Sequence, residues 1–119
     1  MVLDTSVAID ILGGDERAAA LVQGGLVYIS AITRVELLCV SRPGTHPKQA
    51  ALELISDCRL VEFTTEIQDL AVHIRTKYRL KLPDASIAAT AAWLQAELIT
   101  ADKKFGRISE EVSVKVYQR

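Results

Sequence analysis

Four short runs of β-forming residues, Val2-Leu3, Leu26 to Ile29, Arg59 to Phe63 and Glu97 to Thr100, are separated by stretches with helical periodicity. Val112, Val114 and Val116 alternate as a fifth strand. This alternation constrains the fold more than any other feature. Parallel strands need long crossovers, helices supply them, and the outcome is an α/β fold with a central, mostly parallel five-stranded sheet flanked by helices on both faces. At 119 residues, the chain makes one domain over 1–119, large enough for a real core and too small for two. It has no internal repeat, low-complexity segment or interdomain linker.

The helices are expected in order. The first spans 6–12 and ends at Gly13-Gly14. A short one is opened by Asp15-Glu16-Arg17 and closed by Gly24-Gly25, and a third runs from Ser30 to Val40. Arg42-Pro43-Gly44-Thr45-His46-Pro47 reads as a loop. The next helix aligns Ala51, Leu54, Ile55 and Cys58 on one stripe. Glu66 to Tyr78 turns Ile67, Leu70, Ala71, Ile74 and Tyr78 inward. An alanine-rich helix starts at Leu82-Pro83-Asp84 and ends near Gln95, and Asp102 to Phe105 forms one helical turn.

The formal net charge is −1, so no general basic field holds a polyanion, and nucleic-acid contact must come from local Lys/Arg clusters or bound cations. Cys39 and Cys58 lie in apolar helical patterns without metal-type spacing and are expected to be buried free thiols in a reducing compartment. No basic region precedes the first apolar run, which Asp4 and Asp10 interrupt, so no signal peptide is expected. The longest uncharged, largely apolar stretch, Ala85 to Leu94, is far below the roughly 18 residues that span a bilayer. A cytoplasmic protein without a membrane partner is expected.

Four acidic residues stand at element starts or on apolar helices: Asp4, Glu36, Asp84 and Asp102. Each has an ordinary reading. Asp4, Asp84 and Asp102 suit helix caps, and Thr33-x-x-Glu36 matches a capping box. If that helix starts instead at Ser30, the box fails and Glu36 is a carboxylate on a largely apolar helix. The joint pattern says more. In a parallel sheet the strand ends that feed helices share one edge, so Asp4 and Asp102 converge there, with Asp84 and Glu36 near enough to join them. Crowded carboxylates raise one another's pKa, and a divalent cation is the cheapest compensation. Oxygen ligands without a suitable Cys or His favour Mg²⁺ or Mn²⁺ over Zn²⁺. A cation in a carboxylate cup serves phosphodiester hydrolysis. Thr5, Ser6 and Thr100 stand where they can hydrogen-bond those carboxylates, or serve as ordinary turn and cap residues.

Leu3-Asp4-Thr5-Ser6, Thr33-x-x-Glu36, Leu82-Pro83-Asp84-Ala85-x-Ile87-Ala88-Ala89 and Thr100-Ala101-Asp102-x-x-Phe105 resemble, in order and spacing, the four acidic motifs of PIN-domain ribonucleases. More narrowly, the chain is similar over its whole length to VapC-type toxins of toxin–antitoxin pairs. The resemblance implies a PIN-like fold, Mg²⁺- or Mn²⁺-dependent endonucleolytic cleavage of RNA, a homodimer, and a small antitoxin that wraps the toxin and blocks the acidic pocket, often with a basic side chain. Carried over, Asp4 and Asp84 are the firmest metal ligands, Asp102 completes the site, and Glu36 binds directly or through water. The chain departs from the pattern where many members carry another acidic or amide group beside the last motif. Here Asp102 is followed by Lys103 and Lys104, which leaves one or two metals open.

Lys103, Lys104 and Arg107 are candidates for RNA contact, ahead of the denser patch of Arg75, Lys77, Arg79 and Lys81 with Tyr78. His46 and His73 read as surface residues, and Trp93 as packing. Ser6 lies in no nucleophile elbow. Two other functions compete. A haloacid-dehalogenase-like phosphatase needs a second Asp where Ser6 stands. A non-catalytic binding module would use the acidic pocket only to dock a basic partner segment.

Overall fold

Val2 and Leu3 form β1, the two-residue strand at the centre of the sheet. The structure is a computed structural model and describes residues 1–42 and 44–119. The chain continues through α1 (Thr5–Leu12), α2 (Glu16–Val22), β2 (Tyr28–Ser30), α3 (Ala31–Cys39), α4 (His46–Asp57), β3 (Arg59–Val61), α5 (Thr65–Tyr78), α6 (Leu82–Leu94), β4 (Leu98–Thr100), a 3-10 helix (Lys103–Ile108) and β5 (Val114–Val116). All strand pairs are parallel, in the order β3-β2-β1-β4-β5.

The alternation of side chains along a strand divides the core in two. Val2 and Leu98, paired across β1 and β4, face α5, α6 and the 3-10 helix together with Ile67, Ile74, Ile87 and Phe105. Leu3, Ile29 and Ile99 face the opposite side, where Val7, Ala18 and Leu37 come from α1, α2 and α3. Helices therefore cover both faces, as expected. On α6, every residue from Ala85 to Ala91 is buried. Its small side chains let it pair extensively with α5.

Several boundaries move. β2 starts at Tyr28, where its parallel pairing with Val2 begins; before it, the Leu26 and Val27 carbonyls accept only from the Met1 amine and the Arg59 N–H, and Leu26 is 52% exposed. β3 stops at Val61. The loop after α3 is shorter than expected, because His46 and Pro47 open α4. A proline there lacks only a donor that a helix start leaves unused. Thr45 Oγ1 caps that helix, accepting from the Lys48 N–H at 3.3 Å. Pro43, in the same expected loop, lies outside the described residues. Cys39 is exposed and Cys58 only part-buried, which corrects the expectation of two buried thiols. Cys39 stands two positions past the buried Leu37, on the opposite side of α3. Trp93, read as packing, is 47% exposed in the last turn of α6. No helix among the described residues is long and apolar enough to cross a membrane.

Candidate active site

β2 and β3 lie to one side of β1, and β4 and β5 to the other. The crevice beyond the ends of β1 and β4 is therefore the topological switch point, where open α/β sheets bind ligands. Asp4 follows β1 and sits in that crevice, 4% exposed. It is the N-cap residue of α1, yet its side chain makes no capping bond. Its Oδ2 instead accepts from Ser6 Oγ at 2.6 Å and Thr100 Oγ1 at 2.7 Å. Both hydroxyls are themselves backed by main-chain donors: the Ala101 N–H donates to Ser6 Oγ at 3.1 Å, and the Asp102 N–H to Thr100 Oγ1 at 3.0 Å.

Burial pushes the Asp4 carboxyl above its ordinary value. The Ser6 and Thr100 hydroxyls pull it back and the neighbouring Asp84 charge adds to the rise, so burial wins.

Glu36 joins this edge through Thr5. Ser30, not Thr33, caps α3, accepting from the Ile32 N–H at 3.1 Å, so the capping box does not form. The Thr5 hydroxyl lies 2.7 Å from Glu36 Oε1 and 3.0 Å from the buried Thr33 Oγ1. With its single proton given to the carboxylate, Thr5 accepts from Thr33.

Asp84 stands in the first turn of α6, where Lys81 is the N-cap residue and makes no side-chain capping bond. Asp102 does cap the 3-10 helix, its Oδ1 accepting from the Lys104 N–H at 3.0 Å. The Lys104 ammonium lies between the two carboxylates, 2.7 Å from Asp84 Oδ2 and 3.1 Å from Asp102 Oδ2. Hydrogen bonding to Asp84 raises the Lys104 pKa, opposed by burial and supported by Asp102. Burial alone would raise the Asp102 carboxyl. Hydrogen bonds from the Lys104 N–H and ammonium, and the charges of Lys104 and Arg119, hold it below its ordinary value.

The four acidic residues are thus linked along one edge, but not as an open cup. Among the described residues, no three His, Cys, Asp or Glu side chains are positioned to hold a metal ion as they stand. As the chain stands, hydroxyls hold Asp4 and Glu36, and Lys104 lies between Asp84 and Asp102. The donor set still fits a hard cation, because it is all oxygen and two of its members already hold an ammonium ion.

Two participants escaped the sequence reading. Thr33 was read only as a possible cap. Lys104, a candidate for RNA contact, is half-buried with its ammonium against Asp84 and Asp102; its place two residues after Asp102, on the same turn, is the available signal. Lys103 and Arg107 are exposed. In the other basic patch, Arg75 donates to the Leu80 carbonyl at 2.6 Å and Lys77 is paired with Glu111 at 3.1 Å. His46 is exposed, and the exposed His73 is 3.1 Å from Glu111.

Residues 1–111 match the sequence model of the PIN domain. The fold superposes on a chain of a toxin–antitoxin complex from Klebsiella pneumoniae with a TM-score of 0.87 and 30% identity, over 99% of this chain and 98% of that one. It is also similar to FitAcB from Neisseria gonorrhoeae, with a TM-score of 0.76, 26% identity, and 95% and 94% of the two chains covered. VapBC-5 from Mycobacterium tuberculosis, a member of the VapBC family of toxin–antitoxin systems, gives 0.69 and 25%, over 99% and 97%. No curated protein sequence is significantly similar to the chain. The chain belongs to the PIN-domain family. Within it, the likeness is to members of toxin–antitoxin systems, in keeping with the VapC-type motifs.

Proposed function

We propose that this protein is a divalent-metal-dependent endoribonuclease, acting in the cytoplasm as the toxin of a toxin–antitoxin pair. The observation that carries the reading is the clasp of one cation by Asp84 and Asp102, from separate elements, beside the buried Asp4 at the switch point. Membership of the PIN-domain family supports it.

Asp4, Asp84, Asp102 and Glu36 would hold Mg²⁺ or Mn²⁺. When bound, the ion supplies Lewis acidity that neutralises charge building up on a scissile RNA phosphodiester. The chain's own residues do the rest. Ser6 and Thr100 fix Asp4 Oδ2, so that its carboxylate keeps one orientation. Thr5 does the same for Glu36. The exposed Lys103 and Arg107, beside the acidic edge, hold the RNA backbone.

A small antitoxin is the expected partner. A homodimer is the expected assembly.

Sequencing the cleavage sites in total RNA treated with wild-type or Asp84→Asn protein, in Mg²⁺ or EDTA, tests the nuclease. Cleavage is expected only for wild type in Mg²⁺, and Asp84→Asn should lose about 10²-fold or more. Undiminished cutting by Asp84→Asn overturns the reading.

A second reading has its own support. Lys104 demonstrates that a basic side chain fits between Asp84 and Asp102, so the pocket also suits a module that docks a basic partner segment without turnover. Partner binding in EDTA, with no RNA cleaved in Mg²⁺ or Mn²⁺, would select it. For the phosphatase reading, the position needing a second Asp is held by Ser6, which donates to Asp4.

A further inference from the structure

The acidic edge carries its own cation, Lys104, to which the nuclease reading gives no role. Lys104 lies in the first turn of the 3-10 helix, whose Phe105 and Ile108 are fully buried and fix its backbone. Its N–H is held by Asp102 Oδ1 at 3.0 Å, so the base of the side chain cannot drift. The ammonium ends 2.7 Å from Asp84 and 3.1 Å from Asp102. These are two of the carboxylates that the nuclease reading gives to the metal. A lysine ammonium is a compact, strongly hydrated point charge on a flexible stem, closer in character to a hard metal ion than the planar guanidinium of arginine.

We propose that Lys104 is a tethered counter-ion that occupies the Asp84–Asp102 clasp in the metal-free protein and competes there with the incoming divalent ion. The inference rests on the metal-site reading above and assigns this residue a role in it. One ammonium against four carboxylates leaves the edge negative, so a divalent ion still outcompetes it. Loading then requires the ammonium to leave. The stem has the freedom to do so, because the side chain remains 36% exposed. In metal-free protein the same contact keeps Asp84 and Asp102 from repelling each other, at the cost of weaker metal binding.

Mn²⁺ titration of the full-length, chelator-stripped protein, read by the electron paramagnetic resonance signal of free Mn²⁺, tests this without RNA. Lys104→Met and Lys104→Gln should bind Mn²⁺ at least about tenfold more tightly than wild type, a modest share of what Coulomb's law allows at such separations. Lys104→Arg, which keeps the charge but not the compact ammonium, should still bind Mn²⁺ more weakly than the Met and Gln variants. Metal-free melting temperatures of the Met and Gln variants should fall, and their rise on adding Mn²⁺ should exceed that of wild type. If Lys104 only staples the 3-10 helix, those two variants will bind Mn²⁺ equally or more weakly, and that result overturns the proposal while leaving the metal site standing. Mn²⁺ binding by none of the proteins overturns both.

Discussion

Asp4 is held at an energetic disadvantage. Burial favours its protonated form, and two hydroxyl donors do not fully offset that. A carboxyl whose folded pKa lies above its ordinary value of 3.8 contributes stability below that pH and loses the contribution as pH rises through the folded value. At neutral pH the ionised group is therefore a net cost. Asp4→Asn keeps an oxygen for Ser6 and Thr100 but carries no charge, so it should melt higher than wild type in EDTA at pH 7. The gap should close as the pH approaches 3.8, and thermal melts across that range check it. Stability gained where activity is lost is the usual mark of a functional carboxylate. At this scale the sequence was only partly legible. It named the four acidic residues, but could not decide between cap and carboxylate. Asp102 does cap, whereas Asp4 and Asp84 do not, and Glu36 depended on Ser30 taking the N-cap position. Only half of the Lys104 pairing was legible: Asp102 lies two residues before it, but Asp84 lies on a different element.

Helices were easier to read than strands. α5 and α6 kept their expected spans closely because 13 or 14 residues of periodic pattern average out local ambiguity. Strands of two or three residues give no such averaging, and their ends are fixed by the neighbouring strand, as at Leu26. Two predictions belong here. Phe105→Ala empties a fully buried position under the 3-10 helix and should cost about 3–5 kcal/mol by denaturant melts. It should also loosen Lys104 and Asp102, since that helix carries both. Glu111, just before β5, accepts from His73 and Lys77 of α5, and these bonds hold its carboxyl below the ordinary value of 4.5. Its contribution is present above that pH and lost as pH falls through the folded value. Glu111→Gln should therefore melt lower than wild type at pH 7, with the difference vanishing in acid.

For the whole molecule, the alternation of strand and helix was enough to predict a parallel sheet covered on both faces. It could not give the order β3-β2-β1-β4-β5, because pairing partners far apart in the chain leave no local trace. That order nevertheless makes the site, by setting β1 beside β4 and so Asp4 beside Thr100. If the metal binds the native fold alone, a hundredfold excess over its dissociation constant should add about 2.7 kcal/mol of stability. Calorimetry should detect the rise in melting temperature with Mg²⁺ or Mn²⁺ for wild type, and a much smaller one for Asp84→Asn.

The two hydroxyls that hold Asp4 are themselves gripped by the backbone of residues 101 and 102. The carboxylate is therefore geared to the peptide chain leaving β4 as well as to its own strand. A molecule that pushed on that bend from outside would swing the acid out of line without ever entering the crevice.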